Sequence, residues 1–229
     1  MEKNPSKRYK KIKKESEGKK IDSIDDAIKY VKANCTAKFD ESIDVSFNLN
    51  LKKKKEEVSL RTTVNLPHGN GKKIKVAVLC EESKIKEAKE AGADLSGSDN
   101  LVKDIIEGKI NFDKLVATPA MMPKMGKLGK ILGPKGLMPN PKLGTVTNNV
   151  KSIVKALKTG QIEIKNDKDG NLSASIGKKS FSDTKIKENY DVLKETLLKE
   201  KPNGIKGNFL LSAFLTSTMG ISYKLKLSE

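Results

Sequence analysis

Few residues in this 229-residue chain could do covalent chemistry, and none is spaced for it. His68 is the single histidine and lies in the turn-forming run Pro67-His68-Gly69-Asn70-Gly71. No Ser/His/Asp triad and no histidine-based zinc site can be assembled around it. Cys35 and Cys80 stand alone without Cys-x-x-Cys spacing and read as two free, buried thiols of a reducing compartment. A P-loop is absent, and Gly69-Asn70-Gly71-Lys72 precedes a strand rather than a helix, the wrong order for a dinucleotide fingerprint. Asp167, Asp169 and Gly170 resemble a calcium loop only faintly, because the glycine is out of register and the distant Glu is missing. An Asp-Gly hairpin turn is the better reading. The expectation is a protein that is not an enzyme and holds no metal or cofactor.

Three runs could bind rather than react. Gly126–Gly144 carries Lys127, Lys130, Lys135 and Lys142, no acid, and a dense set of glycines and prolines. Glycine permits close backbone approach and proline removes slack, so the lysines would sit on an ordered loop. That loop is either nucleic-acid-facing or a connector that shapes its domain. Lys38-Phe39-Asp40-Glu41-Ser42-Ile43-Asp44 opens a strand, and Phe39 is either a core residue or a stacking platform beside Lys38. Ser217-Thr218-Met219-Gly220 joins two strands, either as a plain hairpin turn or as hydroxyls and open backbone that reach ribose and phosphate.

Charge favours a polyanionic partner. Lys and Arg number 46 against 29 Asp and Glu, a formal net charge of +17. Only Arg8 and Arg61 are arginines, so phosphate attraction is expected more than base reading. Residues 1–20 hold nine cations against Glu2, Glu15 and Glu17, an arm that is either a solvated tail or a segment that orders on phosphate. A membrane surface is the rival partner, but the arm offers only Tyr9 and Ile12 as large apolar or aromatic anchors. The longest dense apolar run, Phe209 to Leu215, is too short to span a bilayer, and no secretory signal opens the chain.

The elements that must position these runs fall into two patterns. Asp22 or Ser23 caps a helix through Ile24 and Val31. Ile43, Val45, Phe47, Leu49 and Leu51 alternate as a half-buried strand that ends at the lysine run 52–55, and Leu60, Thr62, Val64 and Leu66 alternate as a second. Residues 74–80 and 114–117 then read as short buried strands, with a further short strand near 93–95, separated by helices over 83–91 and 100–107, the order of a parallel α/β sheet. A helix over 148–158, a hairpin of 161–166 with 171–177, a helix over 183–200 and strands over 208–215 and 220–227 complete the chain. The fold class is therefore α/β with two domains. An α+β outer domain, an antiparallel sheet with helices, is built from residues 1–67 and 159–229. A Rossmann-like parallel α/β domain, residues 68–158, is inserted into it across two chain crossings that make a natural hinge.

Pro67-His68-Gly69, the run Leu132-Gly133-Pro134-Lys135-Gly136-Leu137-Met138-Pro139-Asn140-Pro141-Lys142 with Gly144-Thr145-Val146-Thr147, and Thr218-Met219-Gly220 resemble the bacterial ribosomal protein L-one family. The similarity runs from about residue 8 to about residue 226. It implies a structural, cytoplasmic protein of the large ribosomal subunit, present there as a monomer beside the tRNA exit site. It implies that the outer domain binds the stalk region of 23S rRNA through Lys38, Phe39, Ser42, Asp44, Ser212, Thr218, Met219 and Gly220, with Asp167 and Lys168 as weaker members. Met219 would pack on the RNA backbone and Asp44 would accept from a 2′-hydroxyl. The inserted domain would face exit-site tRNA and help release it when deacylated. The outer surface would also bind the leader of its own messenger and repress translation. One stretch departs from the family pattern: Lys52–Glu57, then Leu60-Arg61-Thr62, keeps the arginine but lacks the glycine that follows it in relatives. A general nucleic-acid binder, or a nucleotide-acting enzyme using the inserted domain, is the alternative.

Overall fold

The computed structural model describes residues 6–16, 21, 23–51, 60–202 and 207–227. Asp22, the lysine run 52–55 and the outer parts of the basic arm lie outside the described residues. In chain order the elements are α1 (Lys7–Ser16), α2 (Ile24–Ala33), β1 (Ser42–Leu49), β2 (Arg61–Asn65), β3 (Val76–Leu79), α3 (Ile85–Glu90), β4 (Leu95–Gly97), α4 (Asp99–Ile106) and β5 (Lys114–Ala117). There follow α5 (Met122–Met125), α6 (Gly129–Leu132), α7 (Val150–Thr159), β6 (Gln161–Lys165), β7 (Asn171–Lys178), α8 (Asp183–Lys199), β8 (Leu210–Ser217) and β9 (Tyr223–Leu225). They pack as two compact units, Met1–Gly71 with Ile164–Glu229, and Lys72–Glu163. The chain is mixed α/β, with an antiparallel and a parallel sheet, the class expected from its sequence pattern.

The first unit is organised by a four-stranded sheet in the order β7-β1-β8-β9. Alternation along β1 buries Ile43, Val45, Phe47 and Leu49 on one face. Helices α2 and α8 cover that face. Ser23 caps α2 by accepting from the Asp26 N–H at 3.1 Å, and Ala27, Ile28 and Val31 point inward. Phe47 stacks on Tyr190 of α8 with ring centroids 6.0 Å apart. Asn189 of α8 has no exposed surface, and its amide is fully used. It accepts from the His68 N–H at 3.2 Å and donates to the carbonyls of Gly69 at 2.9 Å and Ile176 at 2.7 Å. The Pro-His-Gly turn is thereby tied to α8, and the His68 ring pairs with Glu188.

The second unit has a three-stranded parallel sheet in the order β4-β3-β5. All four residues of β3 are buried because both faces are covered. Ala77 and Leu79 meet Leu101 and Ile105 of α4 on one side, while Val76 and Val78 meet Ala88 of α3 and Val150, Val154 and Leu157 of α7 on the other.

Four local expectations change. Residues 126–132 are not a loop but successive helical turns, Gly126–Leu128 and Gly129–Leu132. Met121, Met125, Leu128 and Leu132 recur at helical spacing and are all buried, which outweighs the glycines between them. Strands β6 and β7 are not a ladder of one hairpin. They share a tight turn and one bridge, Asn166 to Leu172, and then separate, β6 pairing with β2 and β7 with β1. The last strand shortens to Tyr223–Leu225, where it pairs with Ala213–Leu215 of β8. The Lys7–Ser16 part of the arm is a helix seated through buried Ile12, not a solvated tail.

Candidate nucleic-acid interface

The same alternation that buries one face of the first unit's sheet leaves the other open and polar. Ser42, Asp44, Ser46 and Asn48 of β1 point to it. Register puts Ser175 and Thr216 beside Asp44, Ser173 and Phe214 beside Ser46, and Asn171 and Ser212 beside Asn48. Two rungs are closed by side chains, Ser46 Oγ to Ser173 Oγ at 2.8 Å and Asn48 Nδ2 to Asn171 Oδ1 at 2.7 Å. The face is hydroxyl- and amide-rich, chemistry suited to ribose and phosphate rather than to a protein core.

One end of this face is a junction of two segments. The Ser42 N–H donates to Thr218 Oγ1 at 3.0 Å, and the Thr218 N–H donates to the Ser42 carbonyl at 3.1 Å. Beside them the Glu41 carboxylate has no exposed surface. Its Oε1 accepts from the Ala37 N–H at 2.9 Å and its Oε2 from the Met219 N–H at 3.1 Å. Burial pushes its pKa up, but those two peptide N–H groups and the nearby Arg8 guanidinium outweigh it and hold Glu41 below the ordinary carboxylate range. Arg8 spans the same two segments, with Nη1 donating to Thr36 Oγ1 and Nη2 to the Met219 carbonyl, both at 2.8 Å. A β-bulge between Ile43 and Asp44 lies next to the junction.

Two large apolar side chains stand out here. Phe39 is 53% and Met219 47% exposed, so Phe39 is not a core residue. Lys38 and Asp40 flank it, both exposed, and Asp40 accepts from the backbone and hydroxyl of Ser180 at 3.1 and 2.8 Å. Gly220 closes the turn where a Cβ would come within 2.3 Å of the Ser217 hydroxyl oxygen.

The structure thus brings Lys38, Phe39, Ser42, Asp44, Thr218, Met219 and Gly220 to one end of the face. Ser212, Asp167 and Lys168 belong to the other end. Ser212 pairs through Asn48 to Asn171, whose backbone N–H donates to Asp167 Oδ1 at 2.7 Å. That bond and the Asn171 side-chain amide hold Asp167 below its usual range. Gly170, at φ 82°, fits where a Cβ would lie 2.7 Å from the Leu49 carbonyl oxygen. Six residue steps lead from Ser212 along β8 to Thr218 just past its end, which sets the two ends about 20 Å apart. Lys127, Lys130, Lys135 and Lys142 belong to the second unit, where all four are exposed.

Ser46, Asn48, Asn171 and Ser173 belong to no sequence motif, although the period-two alternation of β1 and β7 places them on the open face. Arg8 and Glu41 had no assigned role, and only the tertiary fold joins them. Among the described residues, no helix is long and apolar enough to cross a membrane.

A family model described as Ribosomal protein L1p/L10e family matches residues 31–221. A protein of Pelagibacter ubique named large ribosomal subunit protein uL1 is 55% identical, over 98% of this chain and 99% of its own length. Proteins of the same name are 47% identical in Prochlorococcus marinus, over 99% of this chain and 96% of their own, and 48% identical in Kosmotoga olearia, over 96% and 95%. With relatives this similar along nearly its whole length, and an open polar sheet face of this kind, the chain belongs to the ribosomal protein L1 family.

Proposed function

We propose that this chain is a structural protein of the large ribosomal subunit, cytoplasmic with it, that binds the stalk region of 23S rRNA through the surface around Phe39, Ser42, Thr218 and Met219. It is a ribosomal component, not an enzyme. The observation that carries the reading is two exposed apolar side chains, Phe39 and Met219, on segments hydrogen-bonded to each other at the rim of a hydroxyl-rich sheet face. Apolar side chains at such a rim can pack on ribose and base faces while Ser42, Asp44, Ser212 and Thr218 meet sugar hydroxyls and phosphate. The domain assignment belongs to this proposal: residues 1–67 and 159–229 bind rRNA and residues 68–158 form the inserted part.

Binding of a stalk-sized rRNA fragment by the purified chain tests it. Met219→Asp puts a carboxylate among phosphates without touching the core, and affinity should fall at least tenfold with the Tm unchanged. Unchanged affinity would remove the 218–220 turn from the site.

The exposed lysines at 127, 130, 135 and 142 support a second contact, with exit-site tRNA, through which the inserted part helps release the deacylated form. The rRNA surface serves also for the leader of the chain's own messenger, where a similar RNA shape would make the protein a repressor of its own translation.

A further inference from the structure

Two ionised side chains join the same two segments of the proposed rRNA surface. Glu41 holds the Ala37 N–H with one oxygen and the Met219 N–H with the other. Arg8 holds the Thr36 hydroxyl with one nitrogen and the Met219 carbonyl with the other. The Met219 residue is therefore gripped at both its backbone donor and its acceptor, and its side chain is left outside. Each grip leads back to residues 36–37, two or three positions before Phe39.

We infer that Arg8 and Glu41 form a bracket that fixes the spacing between the Phe39 segment and the Met219 turn, so that RNA meets one prearranged surface. The inference rests on the reading of that surface as the rRNA site. Both are positioning residues: Glu41 has no exposed surface with which to touch RNA, and two of the Arg8 donors are committed to protein oxygens. A planar guanidinium suits this task because its donors keep a fixed angle, which a lysine ammonium does not. A buried carboxylate is costly unless its oxygens are satisfied, and here both accept peptide N–H groups beside a cation. Ordering two loops before RNA arrives removes that entropy cost from binding. Helix α1, seated through Ile12, carries Arg8 and thereby becomes part of the site.

The test compares the full-length chain with Arg8→Ala, Arg8→Lys, Glu41→Gln, the Arg8→Ala/Glu41→Gln pair and Met219→Asp. Affinity and dissociation rate are measured on a stalk-sized rRNA fragment and on an unrelated RNA of equal length, at several salt concentrations. Arg8→Ala should weaken binding of the fragment about tenfold or more, because the two loops must then be ordered at the moment of binding. Its binding of the unrelated RNA and its salt slope should stay unchanged, Arg8→Lys should recover little, and the pair should lose less than the product of the single losses. Arg8→Ala carries the test even where Glu41→Gln folds poorly, since Arg8 lies at the surface.

A salt slope lower by about 0.7–0.9, with recovery by Arg8→Lys, would make Arg8 a direct phosphate contact and overturn the bracket. Unchanged affinity in Arg8→Ala, or increased affinity, would overturn it as well. Should Met219→Asp bind the fragment normally, the 218–220 turn leaves the site, and the bracket fails with it.

Discussion

At the scale of residues, Glu41 makes a prediction independent of RNA. Its folded pKa lies below the ordinary value of 4.5, so in mild acid the unfolded chain binds the proton more readily than the folded one. Its stabilising contribution is fully present above the unfolded value and is lost as pH falls through the folded one. Urea midpoints taken from pH 7 down to pH 3 should fall more steeply in the wild type than in Glu41→Gln, and parallel curves would contradict the assignment. The fold also decides what sequence left open at this scale. Phe39 is exposed because Asp40 and Ser180 hold its segment outside the sheet. Arg8 and Met219 are 211 positions apart, and no local pattern announces such a contact.

At the scale of elements, periodicity was readable wherever one face alone is buried. The alternation at Ile43, Val45, Phe47 and Leu49 gives β1 and its open face directly. The consecutive apolar residues of β3 announce a doubly covered parallel strand in the same way. The glycines and prolines of 126–144 hid an equally regular stripe, because punctuation outweighs a four-residue helical repeat when both are read locally. The partners of β6 and β7 were hidden too, since an Asp-Gly turn joins strands whether or not they then share a ladder. Helix α8 holds the 67–71 turn through Asn189. Asn189→Leu would leave the His68 N–H and the Gly69 and Ile176 carbonyls without their partner. It should cost about 2 kcal/mol or more in urea unfolding, whereas a loss below about 0.5 kcal/mol, as at an ordinary surface site, would show that the turn is held by other means.

At the scale of the whole molecule, the charge of +17 supplies attraction to any RNA, and the built surface must supply the choice among them. The two contributions are separable. Replacing Lys127, Lys130, Lys135 and Lys142 together by Gln should leave affinity for the stalk-sized fragment unchanged and reduce tRNA binding in a filter assay; equal losses on both would make these lysines a general polycation rather than a tRNA contact. The shaped rRNA site is tested most directly by a titration of the full chain with the stalk-sized rRNA fragment, against an unrelated competitor RNA of equal length, at two salt concentrations. Binding that survives competitor and moderate salt is the predicted result, because a shaped site around Phe39 and Met219 adds to the phosphate attraction. Binding that the competitor abolishes would leave only a polycation and rule out a shaped site around Phe39 and Met219.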